Sequence, residues 1–154
     1  MLHTWFECRI KYEKVMGNGM NKNVTEPYLV DALSFTEAEA RIIEEMTPYI
    51  SGEFTVSDIK RAGYSELFFS EDEKADRWFR CKLTFITLDE KSGSEKRTST
   101  NVLVQASDLR DAVKKLDDGM RGSMADYLIA SVTETAIMDV YPYEADKNES
   151  EFID

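Results

Sequence analysis

The sequence predicts an α+β fold in which one ββαβ(β) unit is present twice. It implies antiparallel sheet or sheets, two helices packed on one side, and a pseudo-two-fold relation between the copies. Three observations predict this. WFECRIKY at 5–12 recurs as WFRCKLTF at 78–85, 73 positions later. Four further pairs recur in the same order at offsets of 73 or 74: YLVDA and VLVQA, SFTEAEARI and DLRDAVKKL, FTVSDI and YLIASV, SELF and MDVY. The blocks also carry clear periods, two for strands and 3.6 for helices. Matched blocks in one order indicate a duplicated supersecondary unit, because solenoid repeats are shorter and more numerous.

In the first block Phe6, Cys8, Ile10 and Tyr12 alternate with Glu7, Arg9 and Lys11. In its partner Phe79, Cys81, Leu83 and Phe85 alternate with Arg80, Lys82 and Thr84. Each is a strand with one buried face, and both cysteines point inward as small hydrophobes. Gly17-Asn18-Gly19 and Lys91-Ser92-Gly93-Ser94 have the composition of hairpin connections. Gly17 and Gly19 precede a strand and lack a third glycine, so they do not read as a phosphate-binding loop. Second strands follow over 24–32 and 98–106.

Ser34 with Glu37 has capping-box spacing, and Asp108 with Asp111 holds the matching places. Phe35, Ala38, Ile42 and Met46 then form one helical stripe; Leu109, Ala112, Val113, Leu116 and Met120 form another. Thr47-Pro48, and Gly119 with Gly122, are read as helix stops. Glu37, Glu39, Arg41, Glu44, Arg110, Lys114 and Lys115 read as a solvated face. Third strands are expected over 53–60 and 126–133, and shorter fourth segments over 64–69 and 136–141. The resulting organisation is a first repeat at 3–69, an acidic linker at 70–76, a second repeat at 77–143 and an acidic disordered tail at 144–154.

A hydrophobic content of 42% is enough for a core, and no apolar run approaches the ~20 residues of a membrane span. The first residues lack the basic and apolar regions of a signal peptide, so a cytoplasmic location is expected. Cys8, Cys81 and the single His3 make neither a disulfide framework nor a zinc set, so neither metal nor cofactor is expected. The net charge is −11. Five acids against Lys147 in the tail, and Glu71, Asp72, Glu73 and Asp76 against Lys74 in the linker, hold most of it. Such acidity repels nucleic-acid phosphates.

Three sets of residues could carry function. Arg9, Lys11, Arg80 and Lys82 project from the polar faces of the first strands, with Trp5 and Trp78 at the strand starts. A basic sheet with aromatics can bind single-stranded nucleic acid. The alternative is an exposed face covered by long side chains, with cross-strand partners such as Asp31. Glu66 and Asp139 occupy matching positions, and if brought together they could form an acid/base pair. Ser131, Thr133 and Glu134 form a polar stretch where the first copy differs, as ligand-facing positions free to diverge would.

The strings HTWFEC, VTEPYLVDALSFTEAEARIIEEM, DRWFRCKL and VTETAIMDVYPYE resemble an uncharacterised protein family of Bacteroides-type bacteria, classed as a domain of unknown function. The resemblance spans nearly all of 3–144. It implies a bacterial cytoplasmic protein and transfers no catalytic residue. The expected function is therefore a non-enzymatic binding or protein-interaction module, joined to a protein partner or a second copy partly through an exposed strand edge. The alternatives are a small-molecule binder or enzyme with a site between the repeats, and a single-stranded nucleic-acid binder.

Overall fold

The computed structural model of the chain describes residues 4–123 and 125–143. His3 and the tail expected over 144–154 lie outside the described residues. The fold is α+β, and the described residues form eight strands in two mixed four-stranded sheets and two helices. The described residues divide into two compact units, residues 4–62 with 136–143, and residues 63–135.

In the first unit, strands β1 (Trp5–Val15) and β2 (Asn21–Asp31) form a long hairpin. Its loop closes where Gly19, at φ 83°, donates its N–H to Met16 O; only glycine adopts that conformation without strain. Helix α1 (Phe35–Met46) follows, then β3 (Phe54–Arg61), which pairs antiparallel with the other side of β1. The last strand, β8 (Val140–Tyr141), pairs with β2, giving the order β3-β1-β2-β8. Alternation sends Phe6, Cys8 and Ile10 toward α1, where they meet Ala38, Ile42 and Met46. Complete burial of a side chain such as Ile42 contributes about 2–3 kcal/mol.

The second unit holds β4 (Tyr64–Phe68), β5 (Arg77–Leu88), β6 (Glu95–Ala106), helix α2 (Leu109–Met120) and β7 (Tyr127–Glu134). Its order is β4-β6-β5-β7. Cys81, Leu83, Val102 and Val104 pack with Leu116 of α2. Ser34 Oγ accepts from Glu37 N at 3.1 Å and Asp108 Oδ1 from Asp111 N at 2.8 Å, so both expected caps are present.

Four expectations need correction. The sheets are not wholly antiparallel, because β8 runs parallel to β2 and β4 parallel to β6. These strands do not enter through hairpins, so no tight turn reverses them; Ala62-Gly63 leads from β3 in one sheet to β4 in the other. Phe35 and Leu109, each at its helix's first position, are half exposed rather than part of the buried stripe. Gly119 does not stop α2, which runs to Met120; Gly122, at φ 94°, follows its end. Glu37, Arg41 and Lys115 are not simply solvated.

Arg41 donates from Nη1 to Asp31 O and from Nη2 to Pro142 O, the latter at 3.1 Å, and its guanidinium lies 4.8 Å from the Tyr143 ring centre. The Tyr143 hydroxyl donates to Glu37. Lys115 Nζ donates to Ser70 Oγ at 2.7 Å and pairs with Asp111 at 2.9 Å. In each unit an acid and a base one turn apart on the helix thus hold the segment that leaves the parallel strand. Among the described residues no helix is long and apolar enough to cross a membrane.

Candidate functional site

The face of the second sheet away from α2 is built by alternation along three strands. On β5 it carries Arg80, Lys82 and Thr84, since Cys81 and Leu83 are turned to the helix. Across β7, Thr133 lies opposite Arg80, Ser131 opposite Lys82 and Leu128 opposite Thr84. A register shift beside Ile129 and Ser131 keeps all three on this face. Across β6, Asn101 faces Lys82, and Ser99 faces Thr84 with hydroxyl oxygens 3.3 Å apart. Directly opposed side chains have Cβ atoms about 5 Å apart, so two cations and two hydroxyls form one continuous patch.

Arg80, Lys82, Ser131 and Thr133 are all exposed. Among the described residues no ion pair reaches Arg80 or Lys82. The one acid that the strands β5, β6 and β7 place on this face is Glu95, at its far end, and Arg97 pairs with it at 3.7 Å.

The first sheet offers a contrast. On its helix-free face Glu7 pairs with Lys60 at 3.3 Å and approaches Arg9 at 3.9 Å, while Asp58 stands directly across from Arg9. Lys11 is exposed between Thr25 and Thr55. Asp31 is not the partner of these cations, because it is buried opposite Trp5 at the other end of the strand. The charges that matched in the sequence therefore separate: the set on β1 is largely balanced and the set on β5 is not.

The remaining candidates disperse. Glu134 lies across from Phe79, on the helix side, and pairs with Arg77 at 3.4 Å, so it does not join Ser131 and Thr133. Glu66 lies across from Val102, also on the helix side of the second sheet. Asp139 precedes β8 in the first unit, its carboxylate accepting from Val140 N at 2.8 Å and its backbone O from Leu29 N at 3.0 Å. Glu66 thus lies on a strand of the second unit, and Asp139 just before a strand of the first. Trp5 and Trp78 are buried at 4% and 3% exposure, so neither ring offers a stacking platform.

Burial pushes the Cys8 thiol up to about 12, assisted by Glu7 and Asp58, and the Cys81 thiol up to about 11. Neither is a ready nucleophile. Among the described residues no three His, Cys, Asp or Glu side chains are grouped to hold a metal. Asn101, Ser99 and Leu128 belong to the patch but did not stand out in the sequence. Pairing outward from the loop that Gly93 closes would have found the first two; the register shift in β7 conceals Leu128.

No curated protein and no solved structure matches the chain significantly. A family described as a domain of unknown function, DUF4494, matches residues 4–143, and the chain belongs to that family.

Proposed function

We propose that this protein is a non-enzymatic binding module that takes an extended segment of a protein partner along β7. The observation that carries this reading is the character of that edge. β7 ends its sheet, and its sequence YLIASVTE contains neither Lys, Arg nor Pro. Those are the residues that ordinarily protect a sheet edge from pairing. Its one charge, Glu134, is its last residue. The edge strand β3, by comparison, carries Asp58, Lys60 and Arg61. Leu128 on β7 is half exposed and gives an added strand an apolar neighbour. Backbone hydrogen bonds supply affinity in such strand addition, and alternate side chains supply selectivity.

The same reading takes the chain as a duplication. What supports it is that β3-β1-β2-β8 and β7-β5-β6-β4 run through the corresponding blocks in one order. On this view the fourth strand of each copy pairs in the other copy's sheet, so 3–69 and 77–143 are copies in sequence that exchange one strand. A bacterial cytoplasmic setting fits two buried, unpaired cysteines.

Selection of random twelve-residue peptides on the whole protein tests the binding reading, with A130P as counter-target. Ala130 is exposed beside the register shift of β7, where proline breaks the edge without adding charge. Selected peptides are expected to protect the amides of β7 from hydrogen exchange and to bind the variant at least tenfold more weakly. Failure to enrich any peptide, or equal binding to both proteins, overturns the proposal.

A further inference from the structure

We infer that the partner taken by β7 is an acidic extended segment, with carboxylate side chains at alternate positions; this rests on the strand-addition reading. A strand laid beside β7 turns every second side chain to the face that bears Ser131 and Thr133. Those side chains stand one strand spacing from the two hydroxyls, and two spacings, about 10 Å, from the backbone of β5. Lysine and arginine side chains are long enough to reach over β7 from Lys82 and Arg80 and meet carboxylates of the added strand.

Three features select carboxylates. The cations lie two residues apart on one strand, which matches the period of a partner strand, so acids at i and i+2 meet them in register. Neither cation is neutralised within the described residues, whereas Arg9 in the first sheet has Glu7 beside it. Ser131 and Thr133 add donors where a carboxylate oxygen would lie, and charge-assisted hydrogen bonds exceed neutral ones in strength. A net charge of −11 opposes the approach of such a segment to the protein as a whole, so its attraction has to come from a local cluster of unpaired cations such as this one. Single-stranded nucleic acid fits the face less well, because its binding relies on exposed aromatic platforms and Trp78 is buried.

Fluorescence anisotropy on the whole protein separates the possibilities. The probes are labelled twelve-residue peptides alternating valine with glutamate, threonine or lysine, and a labelled twelve-nucleotide oligothymidylate. The glutamate peptide is expected to bind at least tenfold more tightly than the threonine peptide at low salt and to lose that advantage as salt rises. R80S/K82S is expected to abolish the tenfold difference while leaving threonine-peptide binding unchanged. Equal binding of the glutamate and threonine peptides, or a difference that survives R80S/K82S, overturns the acidic inference and leaves the edge reading standing. No binding by any peptide overturns both. Tighter binding of the oligonucleotide than of the glutamate peptide, lost in R80S/K82S, replaces the inference with nucleic-acid recognition.

Discussion

Gly119 of α2 lies against the ring of Phe68 on β4, so closely that a Cβ at 119 would come within 2.8 Å of two ring carbons. Phe68 packs in turn against the cluster formed by Cys81, Leu83, Val102, Val104 and Leu116. The glycine is thus a seat for the parallel strand rather than a helix terminator. G119A gains about 1 kcal/mol of helix propensity. It also forces an overpacked contact costing about 1–3 kcal/mol. A net loss of about 1 kcal/mol is expected in urea unfolding. In an F68A background the clash is gone and the same substitution should stabilise the protein. Equal effects of G119A in both backgrounds would show that the ring does not set the position.

Arg41 should matter more than its place on a half-exposed helix suggests. It joins Asp31 O, Pro142 O and the Tyr143 ring, and so holds the chain leaving a two-residue strand. Hydrogen bonds to a charged group are worth about 1.5–3 kcal/mol, so R41A is expected to cost about 2 kcal/mol. The loss should be local at first. The Leu29 amide, bonded to Asp139 O, is expected to exchange faster while the Cys8 amide in β1 remains protected. Because lysine lacks the planar fork, R41K should recover little. Unchanged exchange at Leu29 would show that β8 holds without the arginine.

Asp111 links the cap of α2 to solvent pH. Bonds from the Ser107 backbone, and then from Lys115, hold its carboxyl below the usual 3.8. Above 3.8 both folded and unfolded chains are ionised, and the stabilisation is complete. As pH falls below 3.8 the unfolded chain takes up the proton first, and this contribution is lost through the lowered folded value. D111N should therefore be less stable than wild type at pH 7 and show a shallower fall between pH 5 and 2. Parallel acid profiles for the two proteins would contradict the arrangement.

The hairpins, helices and caps were legible because each is set by neighbours along the chain. Alternation at Phe6, Cys8 and Ile10, and Ser34 three residues before Glu37, need no tertiary information. The partners of the fourth strands were not legible. SELF and MDVY match in kind, but nothing local to either string says that one pairs with β6 and the other with β2. The candidate patch was half legible. Arg80, Lys82, Ser131 and Thr133 were identified separately, and only the register of β5 with β7 joins them. Glu134 was grouped with Ser131 and Thr133 by proximity in sequence, yet its pairing turns it to the opposite face.

The two thiols give the last prediction. Cys8 and Cys81 are buried against α1 and α2, and burial raises their pKa values to about 12 and about 11, from an ordinary value near 9. Below pH 9 both folded and unfolded chains keep the protons, so the stabilisation is fully present. Between pH 9 and 11–12 the unfolded chain loses them while the folded chain does not. The unfolded state then binds fewer protons, and stability falls as pH rises. Tyr12 and Tyr143, both raised to about 12, act in the same direction. C8A/C81A is therefore expected to be less stable than wild type at pH 8, because of the cavities, but to lose stability less steeply between pH 9 and 11. Urea midpoints measured at half-unit intervals distinguish the slopes. Identical slopes would mean that the thiols ionise in the folded protein as they do in the unfolded chain, which buried positions facing the two helices do not allow.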